Sequence, residues 1–193
     1  MLLLAAPVFA FEWSAFSTLN HPKANGLNMS ARFPAHYSSR EGNRPHIVRV
    51  FSDRNSESGF VNVLILQVNP LSSADFSMLN TVYLDDNFAE EFIKTQLEDY
   101  DPDATVVYTK KTKHEGQNAV ISSYFTATGR AGKKNSAMTD LLNVFYNNSL
   151  ISSNCSTFYN NKYDINDVIA YYKNLHTPLY FQHFNSLILL DRY

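Results

Sequence analysis

The chain has 193 residues, of which 45% are hydrophobic, 14% aromatic and only 18% charged, with a formal net charge of −2. That balance excludes the basic footprint of a nucleic-acid binder and the polybasic patch of a membrane-surface anchor. One cysteine, Cys155, cannot form an internal disulfide, so the apolar core has to hold the fold alone.

Residues 2–9 are unbroken apolar, and Val8-Phe9-Ala10 fits the small-residue pattern read by signal peptidase. Residues 1–10 therefore read as a secretory signal peptide, with Phe11 the first residue of a single domain over 11–193. The run is too short for a bilayer, which needs roughly 20 apolar residues, and no later run reaches that length. No Cys follows it to accept a lipid. The expected compartment is the periplasm or the exterior, with no stable membrane anchor.

Along the chain, Leu27 to Phe33 alternates apolar and polar residues and ends at Pro34, the pattern of a half-buried strand. Residues 46–51 and 60–68 form the next two strands, the second apolar on both faces, as in the middle of a covered sheet. Residues 85–100 make the clearest helix. Asp85 or Asp86 caps it, Glu90 and Glu91 complement its positive end, and Phe88, Phe92, Ile93, Leu97 and Tyr100 form one stripe. Strands at 105–111 and 119–128 join around Glu115-Gly116. Residues 140–146 and 149–159 form a hairpin about Asn147-Asn148, because Asn tolerates the positive φ of tight turns. Val168, Ile169, Tyr172 and Leu175 share a helical face, capped by Asp164 or Asn166. Thr177-Pro178 opens a last helix with Tyr180, Phe184, Leu187 and Ile188 inward. The expectation is an α+β fold: a central, mostly antiparallel sheet of about six to seven strands flanked by helices.

Chemistry-bearing residues are sparse. Asp99, Asp101 and Asp103 alternate like the opening of an EF-hand, but Ala104 stands where the loop needs glycine and Lys110 where it needs glutamate. An EF-hand is excluded; a solvated connection is the main reading and a weak surface calcium site the alternative. The histidines His21, His36, His46, His114, His176 and His183 show no tight ligand spacing, although His36 with His46, or His176 with His183, flank common connections. There is no G-x-S-x-G elbow, and Cys155 sits mid-strand without a helix N-terminus to activate it, as a buried hydrophobe would. Residues 129–134 form a basic hairpin tip able to touch an anionic partner. Sequons start at Asn28, Asn147 and Asn154, the first and last inside expected strands. The aromatics Phe158, Tyr159, Tyr163, Tyr171, Tyr172, Tyr180, Phe181, Phe184 and Tyr193 gather in the last third and fit either a binding surface or the cover of a sheet. No catalytic, cofactor-binding or metal-ligating residue is singled out, and no cofactor is implied.

The strand running into Pro34, the pair at 46–51 and 60–68, the helix at 85–100 and the strand–Glu115-Gly116–strand unit follow one another in a recognisable order. With the hairpin of 137–159 and the closing Phe184-Asn185-Ser186-Leu187, this order resembles the PsbP-like domain family across nearly the whole chain. The resemblance implies a central antiparallel sheet with flanking helices and no shared catalytic residue. Members of that family include an extrinsic photosystem subunit, a small-GTPase-binding import factor and bacterial envelope proteins. The expected function is thus an exported, soluble, non-enzymatic accessory or binding protein for a protein partner or small ligand in the cell envelope. A secreted hydrolase with a site assembled from scattered His, Asp and Ser is the alternative, and a structural assembly component a third reading.

Overall fold

A computed structural model of the chain describes residues 12–53, 60–100, 104–126, 135–160, 172 and 177–190. Residues 1–10, the basic tip at 129–134, most of the helix expected at 168–175, and the carboxylates of Asp99, Asp101 and Asp103 lie outside that description, as do His176, Tyr163, Tyr171 and Tyr193.

The strands are β1 (Trp13–Ser17), β2 (Asn28–Pro34), β3 (Ser38–Glu41), β4 (Ile47–Ser52), β5 (Val61–Pro70), β6 (Thr105–His114), β7 (Gln117–Thr126), β8 (Asn135–Tyr146), β9 (Ser149–Asn160) and β10 (Ile188–Leu190). The helices are α1 (Ser73–Val82), α2 (Phe88–Tyr100) and α3 (Thr177–Asn185). Seven strands form one antiparallel sheet in the order β3-β4-β5-β9-β8-β7-β6, and a second, three-stranded sheet runs β1-β2-β10.

Two tight turns set the register of the large sheet. Glu115 and Gly116 have φ of 49° and 77°, and Asn147 and Asn148 have 47° and 52°. Two successive positive-φ residues make the turn whose twist matches a two-residue hairpin. His114 accordingly pairs with Gln117, and Tyr146 with Ser149. From the second turn, β8 and β9 stay in register through to Asn135 and Asn160.

The large sheet is covered on both faces, giving three layers. On one face, Leu27 just before β2, Met29 and Ala31 of β2, and Leu179, Tyr180 and Phe184 of α3 pack onto Leu64, Leu66, Val68, Leu142, Val144 and Ile151. On the other face, α1 and α2 bring Tyr83, Phe88 and Ala89 against Val120, Phe145 and Leu150, while Ile93 and Leu97 meet Leu141. Full burial of an aliphatic or aromatic side chain is worth about 1.5–3 kcal/mol. By that measure α2 is held strongly. In α1 no residue is fully buried, and Met78 remains 57% exposed.

Several expectations need correction. The helix read over 85–100 starts at Phe88; Asp85 instead uses its carboxylate to accept the Asn87 N–H at 2.8 Å in the preceding turn. Helix α1 is additional. Ser72 caps it by accepting the Asp75 N–H at 3.1 Å, and its hydroxyl donates to the Asp75 carboxylate at 2.6 Å. Strand β5 is not covered on both faces: Leu64, Leu66 and Val68 are buried, whereas Val63, Ile65, Gln67 and Asn69 on the other face are half-buried. Ile188 does not continue the last helix inward. It is exposed in β10, paired with Ser30. The helix stops because the Ser186 hydroxyl donates back to the His183 carbonyl at 2.6 Å and accepts the Arg32 N–H at 2.7 Å, which steers the chain onto the edge of β2. Short apolar runs do not distinguish helix from strand by period. Strands β1 and β3 are also additional, both being short strands at the edge of a sheet.

Gly42, between β3 and β4, is buried with no room for a side chain: a Cβ there would collide with the Ile47 side chain and carbonyl oxygen. Gly42→Ala is expected to lower the unfolding free energy by about 1–3 kcal/mol, read as a fall in the urea midpoint. An unchanged midpoint would show that this corner relaxes freely.

Candidate ligand-binding site

The groups that resemble catalytic parts are built into the core. His183 on α3 has Nδ1 2.6 Å from the Arg32 carbonyl oxygen and Nε2 2.8 Å from Ser153 Oγ. A carbonyl oxygen only accepts, so Nδ1 carries the proton and Nε2 accepts the Ser153 hydroxyl. The arrangement matches a nucleophile–base pair in connectivity. Both side chains are 1% exposed, however, and no substrate can reach them. They tie α3 to β9 and β2. Burial lowers the His183 pKa to about 4, only partly opposed by the Arg32 carbonyl.

Cys155 is buried mid-strand in β9, as expected, and burial followed by the charge of Asp140 pushes its thiol well above the ordinary range. A thiol so held is not a nucleophile. Asp140, opposite Cys155 on β8, is 1% exposed and accepts hydroxyls from Tyr172 at 2.8 and 2.9 Å and from Ser123. Burial first, then Asp140, raises the hydroxyl pKa values of Tyr172 and Tyr180.

The other described histidines are dispersed. His21 caps the short 3-10 turn Pro22–Ala24 by accepting the Lys23 N–H at 3.2 Å. His114 contacts the Leu187 carbonyl at 2.7 Å, and His36 lies edge-on to Tyr37. Among the described residues no three His, Cys, Asp or Glu side chains converge to hold a metal. Nor do the C-terminal aromatics form one surface: Tyr159, Tyr180 and Phe184 are core residues, and only Phe158 and Phe181 are exposed among those described.

What the fold leaves open is a cavity of about 260 Å³ between α2 and the large sheet. Its floor follows from strand register. Gln67, Ser152 and Asn143 lie side by side across β5, β9 and β8, and Ile65, Asn154 and Leu141 form the next row. Ser152 donates to Asn143 Oδ1 at 2.6 Å, and Asn143 donates to Gln96 Oε1 on α2 at 3.1 Å. Asn69 adds another amide, while Ile93, Leu97 and Tyr124 supply apolar wall. Arg44 brings positive charge and His46 an imidazole; no carboxylate is found among the described lining residues. Asn154 Oδ1 is buried without a hydrogen-bond partner. Sequence reading missed this site because its parts come from five elements and the segment ahead of β4. Its one sequence signal is polar residues inside apolar strands, above all Asn143 within Leu141-Leu142-Asn143-Val144-Phe145.

A second cavity of about 420 Å³ lies on the opposite face of the sheet, with Asp140, Tyr108, Tyr180 and Phe181 in its lining and Lys110 and Lys113 beside them.

A central antiparallel sheet with helices on one face and a helix plus small sheet on the other is the PsbP-like fold, and this chain has it. Among solved structures it is similar to cyanobacterial PsbP (CyanoP) from Synechocystis sp. PCC 6803, with a TM-score of 0.54 and 14% identity over 98% of this chain and 99% of that one. It is also similar to the Ran-binding protein Mog1p of Saccharomyces cerevisiae, with a TM-score of 0.56 and 6% identity over 94% of this chain and 97% of that one. Identities this low establish the fold and nothing finer. No family model matches the chain, and no curated protein matches it.

The His183 tie makes stability depend on pH. The folded pKa lies near 4 and the unfolded one near 6.5, so the unfolded chain takes up the proton first as pH falls. The contribution is complete above about pH 6.5 and is lost between there and about pH 4, amounting to about 3 kcal/mol. Urea midpoints measured across this window should fall steeply for the native chain and follow a flatter course for His183→Gln. Equal slopes for the two proteins would refute the assignment.

Proposed function

We propose that the chain is an exported, non-catalytic binding protein that takes a small ligand in the cavity between α2 and the sheet. The observation that carries this reading is the division of polar groups. Ser153, His183, Cys155 and Asp140 are buried and spent on the fold, whereas the polar groups on the concave surface beside α2 are mostly amides, which recognise without reacting. The PsbP-like fold supports the non-catalytic binding part of this reading, since Mog1p, one of its structural neighbours, is a Ran-binding protein. Export is supported by the apolar run ending at Ala10, and no described helix is long and apolar enough to cross a membrane.

A protein partner is a second reading, favoured by Met78, Val82 and Leu84, which stand exposed on and just after α1. Exposed large apolar side chains close together in sequence are a common feature of docking faces.

Purified protein is expected to show no turnover on a panel of ester, peptide and glycoside substrates. A rate that disappears in Ser153→Ala, with the fold retained, would establish the hydrolase instead. N-terminal sequencing of the exported protein should begin at Phe11; recovery of the intact leader would remove the export part of the reading.

A further inference from the structure

We propose that the cavity between α2 and the sheet binds a small neutral polyol of about one sugar ring, which specifies the ligand class for the binding function above and rests on it. Five side-chain amides, those of Gln67, Asn69, Gln96, Asn143 and Asn154, line the cavity together with the Ser152 hydroxyl. A primary amide offers both donor and acceptor, as does a sugar hydroxyl, so the two match without either carrying charge.

Two of these groups are fixed by their neighbours. The Asn143 amide accepts from Ser152 and donates to Gln96, which pins its orientation inside the sheet, where it is completely buried. Asn154 is different. Its Oδ1 is buried in the adjacent row with no hydrogen-bond partner, and such an acceptor costs about 1–3 kcal/mol when left unsatisfied. Asn154 as a whole is only half-buried and lines the cavity, so rotation of its side-chain amide brings Oδ1 to the open space, where a hydroxyl of a bound polyol is a donor that satisfies it.

The remaining lining narrows the class. The charged lining side chain, Arg44, is exposed to solvent rather than enclosed with the amides, and with no carboxylate among the described lining residues an amine or metal cation would find no counter-charge. Leu97, Leu141 and Tyr124 give a hydrophobic wall suited to the C–H face of a ring, as a purely ionic ligand would not require. The volume, about 260 Å³, is just under the range of roughly 300–1,000 Å³ that holds drug-sized ligands, and it limits the occupant to one ring.

The test titrates the full chain with D-glucose, D-galactose and myo-inositol, with D-glucosamine and D-glucuronate as charged comparators, by calorimetry and by amide chemical shifts. At least one neutral polyol is expected to bind and to shift the side-chain amides of Gln67, Gln96 and Asn154. Asn154→Leu is expected to keep or raise Tm, because it removes an unsatisfied acceptor, while weakening that polyol by about tenfold or more. Gln67→Leu, at a half-buried position, should weaken it as well and serves if Asn154→Leu does not fold. Phe181→Ala, on the opposite face of the sheet, should bind normally. Binding that is unchanged in Asn154→Leu and Gln67→Leu, or an absence of shifts with every neutral polyol, would overturn the proposal. If only glucosamine or glucuronate shifts these amides, the polyol assignment fails while the binding function stands; if the polyols are chemically converted, both fail.

Discussion

The pairing of β8 with β9 is the constraint on which the other parts of the molecule depend. Each strand contributes twelve residues to an unbroken antiparallel ladder closed by Asn147 and Asn148. The pair sits in the middle of the seven-stranded sheet, between β5 and β7, and is buried on both faces. Alternate residues of β8 therefore serve opposite layers: Leu142 and Val144 meet the small sheet and α3, and Leu141 and Phe145 meet α2 and its neighbours. A slip of one residue would exchange these sets and turn Asp140 toward α2 and Asn143 toward α3. The positive φ values of the two turn asparagines thus govern both cores at once.

The same hairpin accounts for the unusual distribution of polar groups. Buried strands normally carry few of them, yet here Asp140, Asn143, Ser152, Ser153 and Ser156 are all within the core. On one face they are joined to α3 and Tyr172 through Ser153 and Asp140; on the other they are joined to α2 through Asn143 and Gln96. Polar bonds of this sort contribute modestly to net stability but are costly to leave incomplete, so they favour one docking geometry for each covering element. Asn154 is where that completion stops within the hairpin, and with Ser152 it is the part of β9 that lines the cavity.

How much of this was readable in advance depended on whether the information was local. The strand ending at Pro34, both two-residue turns and the stripe of Phe88, Ile93 and Leu97 were legible because spacing and turn chemistry determine them within a few residues. Helix α1 was not, since no residue of it is fully buried and its apolar positions show no clean stripe. The Ser72–Asp75 capping pair was its available signal. Strands β1, β3 and β10 escaped because short edge strands exist by virtue of the partner they pair with, which lies outside the strand's own sequence. The cavity was the least legible part. Gln67, Asn143 and Ser152 are each an isolated polar residue in a strand, and only the register of three strands makes them a row. The PsbP-like fold itself emerged from element order, which survives at identities where individual residues do not.

The small sheet joins β2 to β10, placing Ile188 beside Ser30 and Leu190 beside Asn28. Loop-closure entropy makes such a long-range pairing late and slow in folding. During synthesis, β2 and the core residues Leu27, Met29 and Ala31 have to wait for residues 188–190 to emerge before their cover is complete. Until then one face of the large sheet remains unsealed. Such delayed closure makes the seal over Leu27, Met29 and Ala31 a late event in folding, so a change at the β2–β10 seam acts on the last step of assembly rather than on its nucleus.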